Sequence, residues 1–519
     1  LVGFGYRKSD LRDLAAPSPT DYHIRLHEST AGRRRIYMHS LGPILGTLAP
    51  PIADTNDLNT MLWGCEMRYL AKPPPIDHQL WQELFTFVYY EIRKMFKPLE
   101  MGDIPTQSEW LDNSNYSGPR RRELEKAGLT ALGKSFFEGA FLLLNGFGKR
   151  ETYLKYKPPR GINSRSDEFK LWAGPIISAI EKVVYEHPAF IKHVPVKDRP
   201  LYIQDYLSGN PGPFYVSDFS HFESFFTRMI QKAIEGQLYE YMLCKIPDGQ
   251  VYAQVLQGVN KIRYKNFTIS VEGVRMSGEM STSLGNGFTN LMIWKFLSWK
   301  HGLEVRGVVE GDDGLFAQCG GDRILTTADF KSVGFEAKLE VHQDLLTASF
   351  CGISMSEDLV SLTDPRKVLL NFGWSHSPSA GPSVRVRKEL LRAKAISLLY
   401  EHPRCPILSK LAMRTYQLTE GSKARFEKNW YERTMELEAT KYKGWAFVEY
   451  AKGVSSFART KFESLYDISV SMQLKLEGLL DSWDGQLLPR EFDMIFDGSY
   501  DDCRDFFDRF VVNYGVEVP

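Results

Sequence analysis

Val308-Val309-Glu310-Gly311-Asp312-Asp313-Gly314-Leu315-Phe316-Ala317 spells a β-hairpin. Apolar, β-branched and aromatic residues run from Leu303 to Val309 and again from Leu315 to Ala317, with Gly-Asp-Asp-Gly between them. Such a pattern reads as two strands joined by a tight turn that carries two adjacent carboxylates at its tip. Like charges side by side repel, so a turn that keeps both calls for a neutralising partner, and a divalent metal is the simplest one. An ordinary solvated Asp-Gly turn would look the same in isolation. At average glycine usage the triplet arises by chance in about one chain of this length in ten. Its partners must come from elsewhere in the chain.

With 519 residues, the chain is too long for one simple core and suggests two to four lobes. A hydrophobic content of 43%, with aromatics making up 13% of the chain, suits well-packed globular lobes. The 64 basic and 64 acidic residues cancel. That balance disfavours a general RNA coat and still allows a local basic channel beside an acidic site. Cys65, Cys244, Cys319, Cys351, Cys405 and Cys503 are scattered without a CxxC or Cys/His cluster, which disfavours structural zinc and suits a reduced cytosolic setting. No apolar run approaches a membrane span, and Leu1 to Asp10 lacks the character of a signal peptide. A start on Leu1 rather than Met fits either an expressed piece or the product of a larger precursor.

Upstream of the hairpin, basic patches (Arg33-Arg34-Arg35, and later Arg120-Arg121-Arg122) alternate with loop signals. Apolar spacing from His78 to Phe96 predicts a helix, whereas residues 101 to 122 read as polar and turn-rich. Phe141 to Leu144 is strand-like, and an extended basic segment follows. In it Lys149, Arg150, Lys155, Lys157, Arg160 and Arg165 alternate with Tyr153, Tyr156 and Pro158-Pro159. Helices are predicted over Phe169 to Tyr185, Glu223 to about Leu243 and Ser283 to Trp299. Beyond the hairpin come a helix near Thr326 to Val333 and short strands near Glu336 to Val341 and Ser349 to Met355. From about Ser375 the pattern is mostly helical. The whole reads as an α+β core with flanking lobes.

A third acid, Asp218, closes the short strand Phe214-Tyr215-Val216-Ser217-Asp218. Taken alone, it could simply cap the helix that follows. Beside the hairpin, Asp218, Asp312 and Asp313 form a carboxylate set able to hold two Mg2+ ions, which take oxygen ligands and share their shell with phosphates. Two such ions activate an attacking hydroxyl and stabilise a leaving pyrophosphate. Between the acids lies Met276-Ser277-Gly278-Glu279-Met280-Ser281-Thr282-Ser283-Leu284-Gly285-Asn286. Here Ser277-Gly278 reads as a flexible loop opening a helix. Thr282 and Asn286, four apart, would share one face of that helix and suit ribose hydroxyls.

These segments, in this order, resemble the RNA-dependent RNA polymerases of positive-strand RNA viruses, closest to the tombusvirus and carmovirus group. The resemblance spans roughly Lys149 to Met355. The string from Met276 to Asn286 is similar to the family's second palm motif. Gly334 to Glu340 followed by Phe350-Cys351-Gly352 resembles its fourth and fifth, and Pro159 to Arg165 its basic finger motif. The resemblance implies a cupped right hand of fingers, palm with an antiparallel sheet and helical thumb, closed by an N-terminal extension. Its expected bounds are 1–135 for the extension and part of the fingers, 136–213 for the fingers, 214–375 for the palm with a fingers insertion about 244–272, and 376–519 for the thumb.

The same resemblance implies that Asp218 and Asp312, assisted by Asp313, bind two Mg2+ ions, with Mn2+ as a substitute. It casts Lys149, Arg160 and Arg165 as neutralising the triphosphate, and Lys338 as general acid with Lys331 as its rival. Glu223, Ser277, Thr282 and Asn286 would line the ribose, and the residues around Cys351 would sit near the primer end. Glu223 departs from the family's usual Asp, and Ser281 stands where relatives often have Asn. Implied partners are template and nascent RNA, ribonucleoside triphosphates and other viral replication proteins. The implied setting is membrane-associated complexes in host cytoplasm. A reverse transcriptase would share the paired Asp but generally carries a bulky aromatic at the ribose gate. An inactive RNA-binding descendant would have lost a metal acid, and none is lost here.

Overall fold

The computed structural model describes residues 22–27, 39–46, 53, 55–131, 143–149, 151, 158–375, 380, 383–426 and 430–496. The basic run Arg33 to Arg35, Phe141 and Leu142, Arg150, Tyr153, Lys155, Tyr156, Lys157 and Cys503 lie outside the described residues.

Helices and largely antiparallel sheets alternate irregularly along the chain. A five-stranded sheet has the order β1-β7-β6-β3-β4, built from β1 (Tyr22–Leu26), β3 (Leu144–Gly148), β4 (Gly161–Arg165), β6 (Val259–Arg263) and β7 (Phe267–Glu272). A four-stranded sheet has the order β10-β5-β9-β8, built from β5 (Phe214–Phe219), β8 (Glu304–Glu310), β9 (Asp313–Gly320) and β10 (Ala337–His342). Three short strands, β11 (Ser349–Phe350), β12 (Ile353–Met355) and β13 (Ser361–Leu362), form a third sheet, and β2 (His39–Ser40) pairs with β14 (Trp374–Ser375).

The four-stranded sheet positions the acids. Its hairpin β8–β9 runs in register from Val305–Gln318 to Glu310–Asp313, as the sequence anticipates. Tyr215, Ser217, Phe219 and Phe316 on one face pack against the Thr282–Lys300 helix, which is buried along most of its length. Trp294 is the centre of that contact. Its ring stacks on Phe316 with centroids 4.4 Å apart, and its indole nitrogen donates to Ser217 Oγ at 3.3 Å. A buried Trp needs such a partner for its N–H. The opposite face, through Phe214, Leu315 and Ala317, packs on Ile203, Phe350 and Met355. A separate core around Leu390, Leu399, Leu411, Leu476 and Phe492 holds the helical C-terminal lobe together.

Two expectations need correction. The single helix from Glu223 to Leu243 is instead a 3-10 turn (Phe222–Phe225) and two helices (Arg228–Ala233 and Glu235–Met242). Thr227, extended at ψ 159, caps Ile230 N–H and starts a new helix, while Phe222, Phe225 and Phe226 turn into the core. Residues 101 to 122, read as turn-rich, hold the helix Gln107–Asn113 and the start of Gly118–Ala131. Thr106 and Glu109 form a reciprocal capping box at the first of these, a local signal that polar composition concealed. Among the described residues no helix is long and apolar enough to cross a membrane.

Candidate active site

Register places four charged residues in one row. Lys338 on β10 lies opposite Asp218 on β5. One step past the Ser217–Gly314 pair, the β5–β9 register brings Asp218 level with Asp313, and Asp313 pairs with Glu310 on β8. Directly opposed side chains share a face, so Lys338, Asp218, Asp313 and Glu310 cross the sheet in a line. Arg199 holds the far end through Glu310 at 2.5 Å. Asp312 stands just beyond the row, in the turn. Gly311 takes φ +61 there, the left-handed conformation that the first central position of a type II′ hairpin demands. From the helix behind, Asn290 Nδ2 donates to the Asp312 carbonyl at 3.0 Å and fixes the turn.

The electrostatics of this row favour a cation. Asp312 retains solvent-accessible surface. Yet surrounding protein desolvates its carboxyl, and Glu223 and Asp218 repel its charge, so its pKa rises above the usual carboxylate range. Asp313 is pushed up to about 7 by desolvation and then by Asp312, with the Cys351 thiol donating to it in partial compensation. Carboxylates crowded this way suit a hard divalent ion. Among the described residues no group of three His, Cys, Asp or Glu side chains is placed to hold a metal ion by itself. Mg2+ is usually bound by one or two carboxylates and completes its shell with water and substrate phosphate, and this donor set fits that habit.

Glu223 reaches the same cleft with its oxygen occupied. Oε1 accepts from Arg68 at 2.8 Å and from Ser277 Oγ at 3.2 Å. The helix Leu58–Tyr69 that carries Arg68 also bonds the basic strand, Tyr69 O–H donating to the Gly161 carbonyl at 2.6 Å. Arg68 had no sequence signal, because it sits far upstream in a segment without a motif. The Ser277-Gly278 segment is pinned rather than flexible: Gly278 N–H donates to Asn163 O at 3.1 Å, and a Cβ on Gly278 would collide with that carbonyl.

Thr282 and Asn286 do not converge on a common ligand. Thr282 Oγ1 donates back to the carbonyls of Glu279 at 2.9 Å and Met276 at 3.2 Å. Asn286 is buried, its Oδ1 accepting from Arg275 Nε at 2.9 Å. Arg275 in turn pairs with Glu235 at 2.5 Å, with both side chains fully out of solvent. Gly285 makes that pair possible, since a Cβ there would run into the Glu235 carboxylate. Ser281 accepts from Tyr252 O–H at 2.7 Å, so this Ser serves the buried packing under the loop.

The basic segment divides in two. Arg160 Nε donates to Glu151 Oε2 at 2.6 Å, and Lys149 pairs with Glu151 at 2.7 Å. Burial raises the Glu151 carboxyl, but these two cations outweigh it and hold its pKa at about 2. Both remain partly exposed, and Arg160 acts on the charge of Asp312. Arg165 corrects the expectation of a triphosphate contact. It is 3% exposed and spends its guanidinium on Glu279 at 2.5 Å and Asn260 at 2.7 Å. A strand residue pointing inward cannot serve a ligand in the cleft.

Facing carboxylates on an antiparallel sheet, a backing helix and partly exposed cations make a cleft whose chemistry suits divalent ions and phosphate. Residues 252–486 match the family described as Viral RNA dependent RNA polymerase. That stretch takes in Ser277, the Asp312-Asp313 hairpin and Lys338, and begins after Asp218 and Glu223. The match spans somewhat under half of the chain and supports RNA-directed RNA polymerase activity in viral RNA replication. The tombusvirus- and carmovirus-like resemblance is consistent with it. No curated protein matches the chain.

Proposed function

We propose that this protein replicates a viral RNA genome, joining ribonucleoside triphosphates on an RNA template by two-metal transfer and releasing pyrophosphate. The supporting observation is the row of Lys338, Asp218 and Asp313 beside the Asp312 turn. On this reading the four-stranded sheet is the palm, the five-stranded sheet lies in the fingers and the C-terminal helices form the thumb. Asp218, Asp312 and Asp313 would hold two Mg2+ ions, which supply Lewis-acid stabilisation of charge on the reacting phosphate. Arg160 and Lys149 exchange Glu151 for the incoming triphosphate, for which Arg's forked donors are suited. Glu223, held by Arg68 and Ser277, faces the ribose. Lys338 gives a proton to the departing pyrophosphate oxygen, and its register opposite Asp218 favours it over Lys331.

Purified protein with Mg2+ or Mn2+ is expected to extend RNA on an RNA template with ribonucleotides. Lys338→Ala lowers the single-turnover rate about a hundredfold while nucleotide affinity stays near wild type. Weaker affinity at an unchanged rate would move Lys338 from proton transfer to binding. Glu223→Asp withdraws the carboxylate from Arg68 and Ser277, and a charge-assisted contact of about 1.5–3 kcal/mol is at stake. The ratio of ribo- to deoxynucleotide use should then shift about tenfold. An unchanged ratio would remove Glu223 from sugar selection.

A further inference from the structure

The outward face of the five-stranded sheet carries one continuous row. Arg25 on β1 lies opposite Thr268 on β7, Thr268 opposite Arg263 on β6, Arg263 beside Asn145 on β3, and Asn145 opposite Ser164 on β4. Alternate residues of β4, β6 and β7 are buried, and Arg25, Asn145, Phe147, Lys261 and Arg263 are exposed on the other face. Phe147 is 55% exposed. It borders an open cleft of about 640 Å³ of mixed charge, lined by Lys126 and Lys170 and by Glu123, Asp167 and Glu168.

Among the described residues, no carboxylate pairs with Arg25, Lys261 or Arg263, although Glu272 on β7 pairs with Arg228 of the helix Arg228–Ala233, at 2.8 Å. In a chain with no net charge, three uncompensated cations on one face mark a site for a polyanion. Thr268, Asn145 and Ser164 add uncharged hydrogen-bonding groups along the row. A solvent-facing aromatic beside them supplies a stacking platform for a base. Five strands at about 4.8 Å spacing give a row of about 19 Å, room for roughly five nucleotides at the stacked rise of about 3.4 Å.

We propose that this face binds single-stranded RNA outside the carboxylate cleft, with Arg25, Lys261 and Arg263 on phosphates and Phe147 stacking a base. The choice of RNA over another polyanion rests on the polymerase reading. A protein strand would seek a sheet edge rather than a face, and an anionic membrane would favour more apolar surface than one exposed Phe offers.

The test uses the full chain and a single-stranded RNA of roughly 20 nucleotides, titrated by fluorescence anisotropy at several salt concentrations. Arg25→Glu, Lys261→Glu and Arg263→Glu together should weaken binding at least about tenfold and flatten the log–log salt slope by about 2, near 0.7 for each phosphate no longer neutralised. Phe147→Ala should weaken it by about fivefold or more, with little change in slope. Incorporation on a saturating, pre-annealed short primer–template should stay within about twofold of wild type, since none of these residues lies in the cleft. If the charge reversals impair folding, the three Gln substitutions carry the same test through the salt slope. RNA affinity and slope equal to wild type would overturn the proposal. So would a deficit seen with anionic vesicles and not with RNA. No incorporation by wild-type protein would instead count against the polymerase reading.

Discussion

Asp312→Asn is expected to abolish ribonucleotide incorporation, lowering the rate at least about a thousandfold, equivalent to about 4 kcal/mol of lost transition-state stabilisation. Asparagine keeps the shape of the side chain, and the turn should survive. Gly311 supplies the left-handed φ, and Asn290 binds the backbone carbonyl of residue 312 rather than its side chain. What disappears is one negative charge in a site whose carboxylates already repel one another. Removing that repulsion should leave the folded protein as stable as wild type or slightly more so, and leave template affinity unaltered. The informative result is therefore a dead enzyme with an unchanged melting temperature and unchanged RNA binding. Incorporation at the wild-type rate would sink the proposed mechanism.

How far the sequence could be read followed the range of the interaction that decides each feature. The Gly-Asp-Asp hairpin was legible because alternation, turn chemistry and register are local, and the strand ending in Asp218 was legible for the same reason. Distance in sequence hid the rest. Arg160 and Arg165 belong to one basic segment and look alike, but the inward pleat of β4 sends Arg165 to Glu279, while Arg160, just before the strand, stays partly exposed on Glu151. In sequence Glu223 is an isolated departure, and only the fold brings Arg68 in on another helix as the partner of the longer side chain. The break at Thr227 escaped periodicity because three phenylalanines that look like a helical face pack around the bend instead. The four-residue spacing of Thr282 and Asn286 suggests a shared ligand, but the engagement of Asn286 by Arg275 depends on a fold-level juxtaposition with Glu235.

That juxtaposition carries the second large effect. Arg275→Ala should destabilise the protein by about 3–5 kcal/mol, because it leaves Glu235 buried with its charge unpaired. Each member of the pair already keeps one buried polar atom without a hydrogen-bond partner, Glu235 Oε1 and Arg275 Nη1, so no spare donor waits to replace the guanidinium. Replacing both charges with apolar groups of similar volume, Arg275→Met with Glu235→Leu, removes the desolvation cost together with the attraction and should recover most of the stability. The two variants then separate stability from function. Arg275 also fixes the Asn286 amide, with Nε on Oδ1, and the family resemblance casts Asn286 as lining the ribose. The double variant should fold and melt near wild type, yet discriminate less sharply between ribo- and deoxynucleotides, because Asn286 has lost its anchor. Urea melts and paired incorporation assays measure the two quantities on the same preparations. Full recovery of both stability and discrimination would show that the buried pair packs the loop without orienting Asn286. Recovery of stability alone would make Arg275 a positioning residue, acting on the nucleotide through a side chain that it holds in place.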